Sequence, residues 1–145
     1  MPRITLAVLG LALFVPATHA APALKDRKDE DAARIVGQWA QESMSSRGGE
    51  PIPPRQSSTF RFNSDGTCGI TTGISESPAQ YTLDLSRSPR QLKWLHGPTK
   101  TEWLCVYELE GDKLKLAFVD SGTEPLKKIE PAKNLTVYYL KRIKD

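Results

Sequence analysis

Beyond residue 20, the prolines and the aromatic residues of this chain occupy separate stretches. The prolines are Pro22, Pro51, Pro53, Pro54, Pro78, Pro89, Pro98, Pro125 and Pro131. The aromatics are Trp39, Phe60, Phe62, Tyr81, Trp94, Trp103, Tyr107, Phe118, Tyr138 and Tyr139. Proline lacks the N–H that a ladder needs and is kept out of central strands, where aromatics are enriched. The partition predicts eight β segments with every proline outside them. They cover residues 35–43, 58–63, 66–73, 79–85, 91–95, 101–110, 113–119 and 134–142.

Two of the gaps hold no proline and read as tight hairpins, Asn63-Ser64-Asp65-Gly66 and Glu110-Gly111-Asp112. Glycine supplies the positive φ such turns require. Alternation puts Phe60 with Phe62 on one face, and Tyr81 with Leu83 and Leu85. It also groups Trp103, Cys105, Tyr107 and Leu109, and Leu114, Leu116 and Phe118. No helical apolar period beyond residue 20 lasts more than about two turns. Eight consecutive strands with one apolar face each predict an all-β, up-and-down antiparallel barrel, because closure removes the two edges of an open meander. A two-sheet β-sandwich satisfies the same alternation and is the alternative.

The first twenty residues point to a compartment. Arg3 precedes an uncharged apolar run from Ile4 to Pro16, and Thr18 and Ala20 place small residues where a signal peptidase reads. A run of about 13 apolar residues is too short to span a bilayer core that needs roughly 20. The expectation is a signal peptide over 1–20, cleaved near Ala20, and export to the periplasm or the extracellular space. Residues 21–34 form a charge-dense, solvated lead-in, with one helical turn over Asp31–Arg34. The barrel domain is expected over 35–145. With 20 basic and 17 acidic residues intermixed along the chain, no stripe for nucleic acid stands out, and no membrane span is expected in the mature chain.

Ile35-Val36-Gly37-Gln38-Trp39 resembles the Gly-x-Trp that opens the first strand of lipocalin-type barrels. The resemblance implies that Trp39 closes one end of the barrel and that a basic residue near the end of the last strand lies across its ring. In Leu140-Lys141-Arg142, Arg142 is the matching residue. Gly37, Trp39 and Arg142 are therefore the candidate closure residues. Residues 33–142 also resemble a lipocalin-like secreted domain abundant in planctomycetes, through Ser88 to Leu92, Tyr107 to Leu114 and Leu140 to Arg142. That resemblance implies a barrel and export, and no established activity.

Residues for chemistry are sparse. His96 is the one histidine beyond the leader and reads as a solvated residue where a strand runs into a turn. There is no HExxH, CxxC, nucleophile elbow or P-loop spacing, so no metal, no cofactor and no catalytic residue is expected. Asp65-Gly66 and Gly111-Asp112 lack the spaced carboxylates of a calcium loop. Cys68 and Cys105 are the one cysteine pair. Bridged, they close a loop of roughly 37 residues, worth about 4 kcal/mol in the chain-entropy model. A disulfide needs Cα atoms within about 7 Å, which demands a flattened barrel, so two buried thiols are the other reading.

The remaining candidate site is aromatic. Phe60, Phe62, Tyr81, Trp94, Trp103, Tyr107 and Phe118 are expected to face the barrel interior, either lining a calyx for a small hydrophobic molecule or packing as a solid core. The leading expectation is a non-catalytic, exported binding module. The alternative is a structural or protein-interaction domain, with a solid core and contacts made by loops 45–57 and 120–133.

Overall fold

The computed structural model describes residues 24–121 and 126–144. The leader expected over 1–20 lies outside them. A helix, α1 (Leu24–Ile35), precedes eight strands: β1 (Gly37–Ser46), β2 (Ser58–Phe62), β3 (Thr67–Thr72), β4 (Ser75–Asp84), β5 (Arg90–His96), β6 (Thr101–Glu110), β7 (Lys113–Val119) and β8 (Leu135–Arg142). Each strand pairs antiparallel with its sequence neighbours, and β8 returns to β1, so the sheet is a closed barrel. The closing seam runs from Trp39 opposite Arg142 to Ser46 opposite Thr136. This is an eight-stranded up-and-down antiparallel barrel, and the seam removes the sandwich alternative.

The strands form because their side chains alternate between water and the interior. On β2, Phe60 and Phe62 are buried and Arg61 is exposed. On β5, Leu92 and Trp94 are buried around an exposed Lys93, and on β7 Leu114 and Leu116 alternate with Lys113 and Lys115. Burying each such side chain contributes about 1.5–3 kcal/mol. A one-residue slip would turn every one of them outward. The β2–β3 hairpin holds the register: Asn63 N–H donates to the Thr67 carbonyl at 2.9 Å, and Asp65 Oδ1 accepts from Thr67 N–H at 2.9 Å and from its hydroxyl at 2.6 Å.

Three features depart from the sequence reading. The single turn expected over Asp31–Arg34 is a twelve-residue helix that runs to Ile35, so the first strand starts at Gly37 rather than at residue 35. The helix is charged almost throughout and gives no apolar period to read. It docks by its C-terminal end, where Ile35 is wholly buried and Asp31 meets Arg90 at 2.5 Å. Second, β4 begins at Ser75, not at 79, so Pro78 lies within a strand opposite Gly69. The β4–β5 pairing starts only at Ala79 with His96. Pro78 is thus an edge position, where its missing N–H costs no ladder bond on that side.

Third, β6, β7 and β8 are apolar on both faces. Val106, Ala117 and Val137 form a cross-strand row outside the barrel, covered by Ile129 of the β7–β8 connection together with Leu135 at the start of β8. Of the two readings for Cys68 and Cys105, the structure has the second: no bridge is made, and both are buried free thiols. They sit on β3 and β6, on opposite walls of the barrel. Burial pushes the Cys68 thiol up to about 12 and raises that of Cys105 as well, so both stay protonated at neutral pH.

Candidate functional site

The two ends of the barrel are built differently. At the closed end, Trp39 is fully buried, its indole N–H donates to the Ile35 carbonyl at 2.9 Å, and the Arg142 guanidinium carbon lies 4.2 Å from its ring centroid. Arg142 also donates Nη1 to the Val36 carbonyl at 2.9 Å and Nη2 to the Arg34 carbonyl. One side chain therefore stacks on the first strand and satisfies carbonyls that the end of α1 leaves free. Gly37, at φ +131°, gives Arg142 its room, since a Cβ there would stand 2.7 Å from Nη1. Asp112, on the β6–β7 turn, approaches Arg142 Nε at 3.9 Å. A hydrogen bond from Lys144, with the charges of Lys144, Arg142 and Lys141, holds its carboxyl below the usual carboxylate range. Arg142→Ala is expected to cost about 2 kcal/mol of stability, from the lost stack and the two charge-assisted hydrogen bonds. Lys141→Ala, at an exposed position, should stay within about 0.5 kcal/mol of the parent. Denaturant titration of both variants checks the contrast.

Above this plug the interior is filled by rings. Trp94 is the hub, with ring centroids of Phe118 at 5.6 Å, Phe62 at 5.9 Å and Phe60 at 6.4 Å, all near edge-on. Phe62 stacks edge-on against Tyr81 at 5.2 Å, and the Tyr81 hydroxyl donates to the Asn63 carbonyl at 2.8 Å. Tyr107 is buried deeper, beside Arg90. Its hydroxyl has no hydrogen-bond partner among the described residues, and burial pushes it up to about 12.

The open end carries loops 47–57, 73–74 and 97–100 and the described parts, 120–121 and 126–134, of the β7–β8 connection. Here β1 parts from β2 after Ala40, and a bulge between Gln41 and Ser43 redirects its second half onto β8 alone. The gap is closed by a backbone bridge between Met44 and Ile52, with N–H to carbonyl distances of 2.9 Å in both directions. Two clefts open on this end. One, of about 370 Å³, runs under Ile52, Pro53 and Pro54 to Phe60. The other, of about 340 Å³, lies between Trp103, Phe118 and Thr136. Both volumes fall at the low end of the small-molecule range. Ile70 and Tyr138 belong to both clefts and form the wall between them.

The seven aromatics expected to face the interior thus divide. Phe60, Trp103 and Phe118 line the open-end clefts, whereas Phe62, Tyr81, Trp94 and Tyr107 pack into the ring-filled centre and closed half. Ile70 and Tyr138 line both clefts and were not among the candidates. Tyr138 is hidden in the sequence because its strand is apolar on both faces. Burial raises its hydroxyl above the ordinary tyrosine value. His96 is not a solvated loop residue. It is the last residue of β5, half-buried, and its ring lies flat on Trp103 with centroids 5.6 Å apart and planes 8° from parallel. The turn after it is tight, closed by Lys100 N–H to the Gly97 carbonyl at 3.1 Å, so the strand continues one residue further than its composition suggests.

Comparison with protein-family profiles, curated proteins and solved structures finds no match. The architecture itself, a closed eight-stranded antiparallel barrel, is consistent with a lipocalin-like fold.

Proposed function

We propose that this chain is a small exported binding module of the lipocalin-like kind, non-catalytic, which holds one small apolar molecule at the open end of its barrel. The observation that carries the reading is the pair of apolar clefts meeting at Ile70 and Tyr138, directly above a core already filled by Trp94 and its neighbours. A ligand held there rests on rings and needs no change in the barrel wall. The Gly-x-Trp segment with Arg142 across Trp39 supports the lipocalin-like assignment, and the apolar leader with small residues at Thr18 and Ala20 supports export. The second reading, a structural or protein-interaction domain, is favoured by the same ring-filled centre, which leaves no need for a ligand to complete the core.

A titration with Nile red, a neutral solvatochromic dye, separates the two. Saturable binding is expected, weakened about tenfold by Trp103→Ser, which removes cleft surface worth roughly 1.4 kcal/mol. Ile143→Ser, at an exposed site beyond β8 at the closed end, should leave it unchanged. Dye binding that does not saturate, or that both variants weaken equally, leaves the structural reading in possession.

A further inference from the structure

Among the described residues, the three most exposed large apolar side chains share one end of the barrel, whereas Leu104 on the β6 wall (37%) and Ile143 at the closed end (40%) lie elsewhere. Ile52 is 58% exposed, Trp103 46% and Ile74 fully exposed. They come from three separate parts of the chain, the β1–β2 loop, the start of strand β6 and the β3–β4 turn, and all three lie on the open end. An Ile placed wholly in water at the tip of a two-residue turn contributes nothing to the core, and three such residues at one end form a surface that has something to meet.

The charges at the same end are the second observation. Arg47, Arg55, Lys100 and Lys133 stand in its loops, and none is engaged in any of the ion pairs found among the described residues. Counted with Lys127 and Lys128, they set six bases against three carboxylates, Glu50, Asp120 and Glu130, among the described loop residues. On the barrel wall three bases are paired, Arg61 with Glu76, Lys93 with Glu102 and Lys115 with Glu108, while Lys113 and Lys141 near the closed end are not paired among the described residues. Backbone conformation singles out two of the rim bases. Among the described residues, Arg47 (φ +54°) and Lys100 (φ +49°) are the two non-glycine residues in the left-handed region. That region disfavours any residue with a Cβ, and turns normally fill it with Gly or Asn. At both positions a base stands where glycine would be less strained.

We propose that the open end docks on an anionic lipid surface, with Ile52, Ile74 and Trp103 entering the interfacial layer and Arg47, Arg55, Lys100 and Lys133 against the headgroups. An indole suits the boundary between headgroup and hydrocarbon, because its body is apolar and its N–H finds polar partners. Bases near an anionic surface each contribute about a fivefold gain in partition. A protein partner or a second copy would also cover apolar residues, but unpaired bases around an apolar centre complement a surface of like negative charges. The docking does not depend on ligand binding in the clefts: Ile74, Arg47 and Lys100 line neither of them.

The test uses the chain from Ala21 onward, which retains every described element, with vesicles of phosphatidylcholine alone and of phosphatidylcholine mixed with phosphatidylglycerol. Trp39 and Trp94 are buried, so a change in intrinsic fluorescence on adding vesicles reports Trp103. Flotation with the mixed vesicles, a blue shift of emission and no flotation with neutral ones are expected. Arg47→Gly and Lys100→Gly should each lower partition about fivefold. Glycine suits both backbone positions, so neither loss can be ascribed to unfolding. Ile74→Ser should also weaken flotation, and none of the three should alter Nile red binding. Equal flotation with both vesicle types, or partition unchanged in the Arg47→Gly/Lys100→Gly double variant, overturns the proposal. So does an absence of flotation accompanied by a dimer in sedimentation velocity, which assigns the surface to a second copy.

Discussion

Trp94→Ala is expected to lower the free energy of unfolding by about 3–5 kcal/mol, the range for truncating a large buried aromatic. The upper part of the range is the expectation because the site cannot collapse. Phe60, Phe62 and Phe118 reach Trp94 from two other strands, β2 twice and β7, and each strand is fixed on both sides by its ladder in a closed sheet. With the walls held apart, the rings left behind face a void. The void should be dry and apolar, so the variant should gain more thermal stability than the parent on saturation with indole or benzene. Trp103→Ala makes the control: Trp103 lies opposite Trp94 in the ladder but is 46% exposed, and its loss should cost about 1 kcal/mol or less. A cost for Trp94→Ala below about 1 kcal/mol would mean that the barrel centre is not a packed solid.

The barrel was legible because two exclusions act on the same residues. A ladder rejects proline and a solvated turn rejects aromatics, so the chain writes its strands twice. The rule misled at Pro78, where the strand has a partner on one side only. Periodicity failed where a second layer intervenes. On β8, Leu135, Val137 and Tyr139 meet the β7–β8 connection and its surroundings outside, while Tyr138 and Leu140 face inward. No alternation survives when both faces are apolar, and Tyr138, the wall between the clefts, was lost with it. Helix α1 was missed for a different reason. Its attachment is a buried residue at one end, an ion pair and two main-chain carbonyls taken by Arg142, none of which leaves an amphipathic stripe. The clefts arise from the bulge at Gln41/Ser43 and the parting of β1 from β2, which are properties of register rather than of residue type.

Gly37→Ala is expected to cost about 2–4 kcal/mol, the largest effect of adding one methyl group to this chain. Two penalties meet there. At φ +131° the backbone is outside the range of L side chains, a strain of about 1–3 kcal/mol that no neighbour can relieve. The added Cβ would also stand 2.7 Å from Arg142 Nη1. A guanidinium at the end of a flexible stem can swing away, so the overlap alone is cheap. The swing, however, lifts Arg142 off Trp39 and off the Val36 carbonyl, and so undoes the latch that joins α1, β1 and β8. Gly111→Ala separates the two penalties, since Gly111 has positive φ (+56°) but no atom within 4 Å of its added Cβ, and about 1 kcal/mol is expected. The double variant Gly37→Ala/Arg142→Ala then measures the shared part. Both single changes remove the same stack and hydrogen bonds, so their combined cost should fall short of the sum by about 1 kcal/mol. Strict additivity in denaturant titrations would show that Gly37 is needed for its backbone alone and that Arg142 closes the barrel without needing the space it leaves.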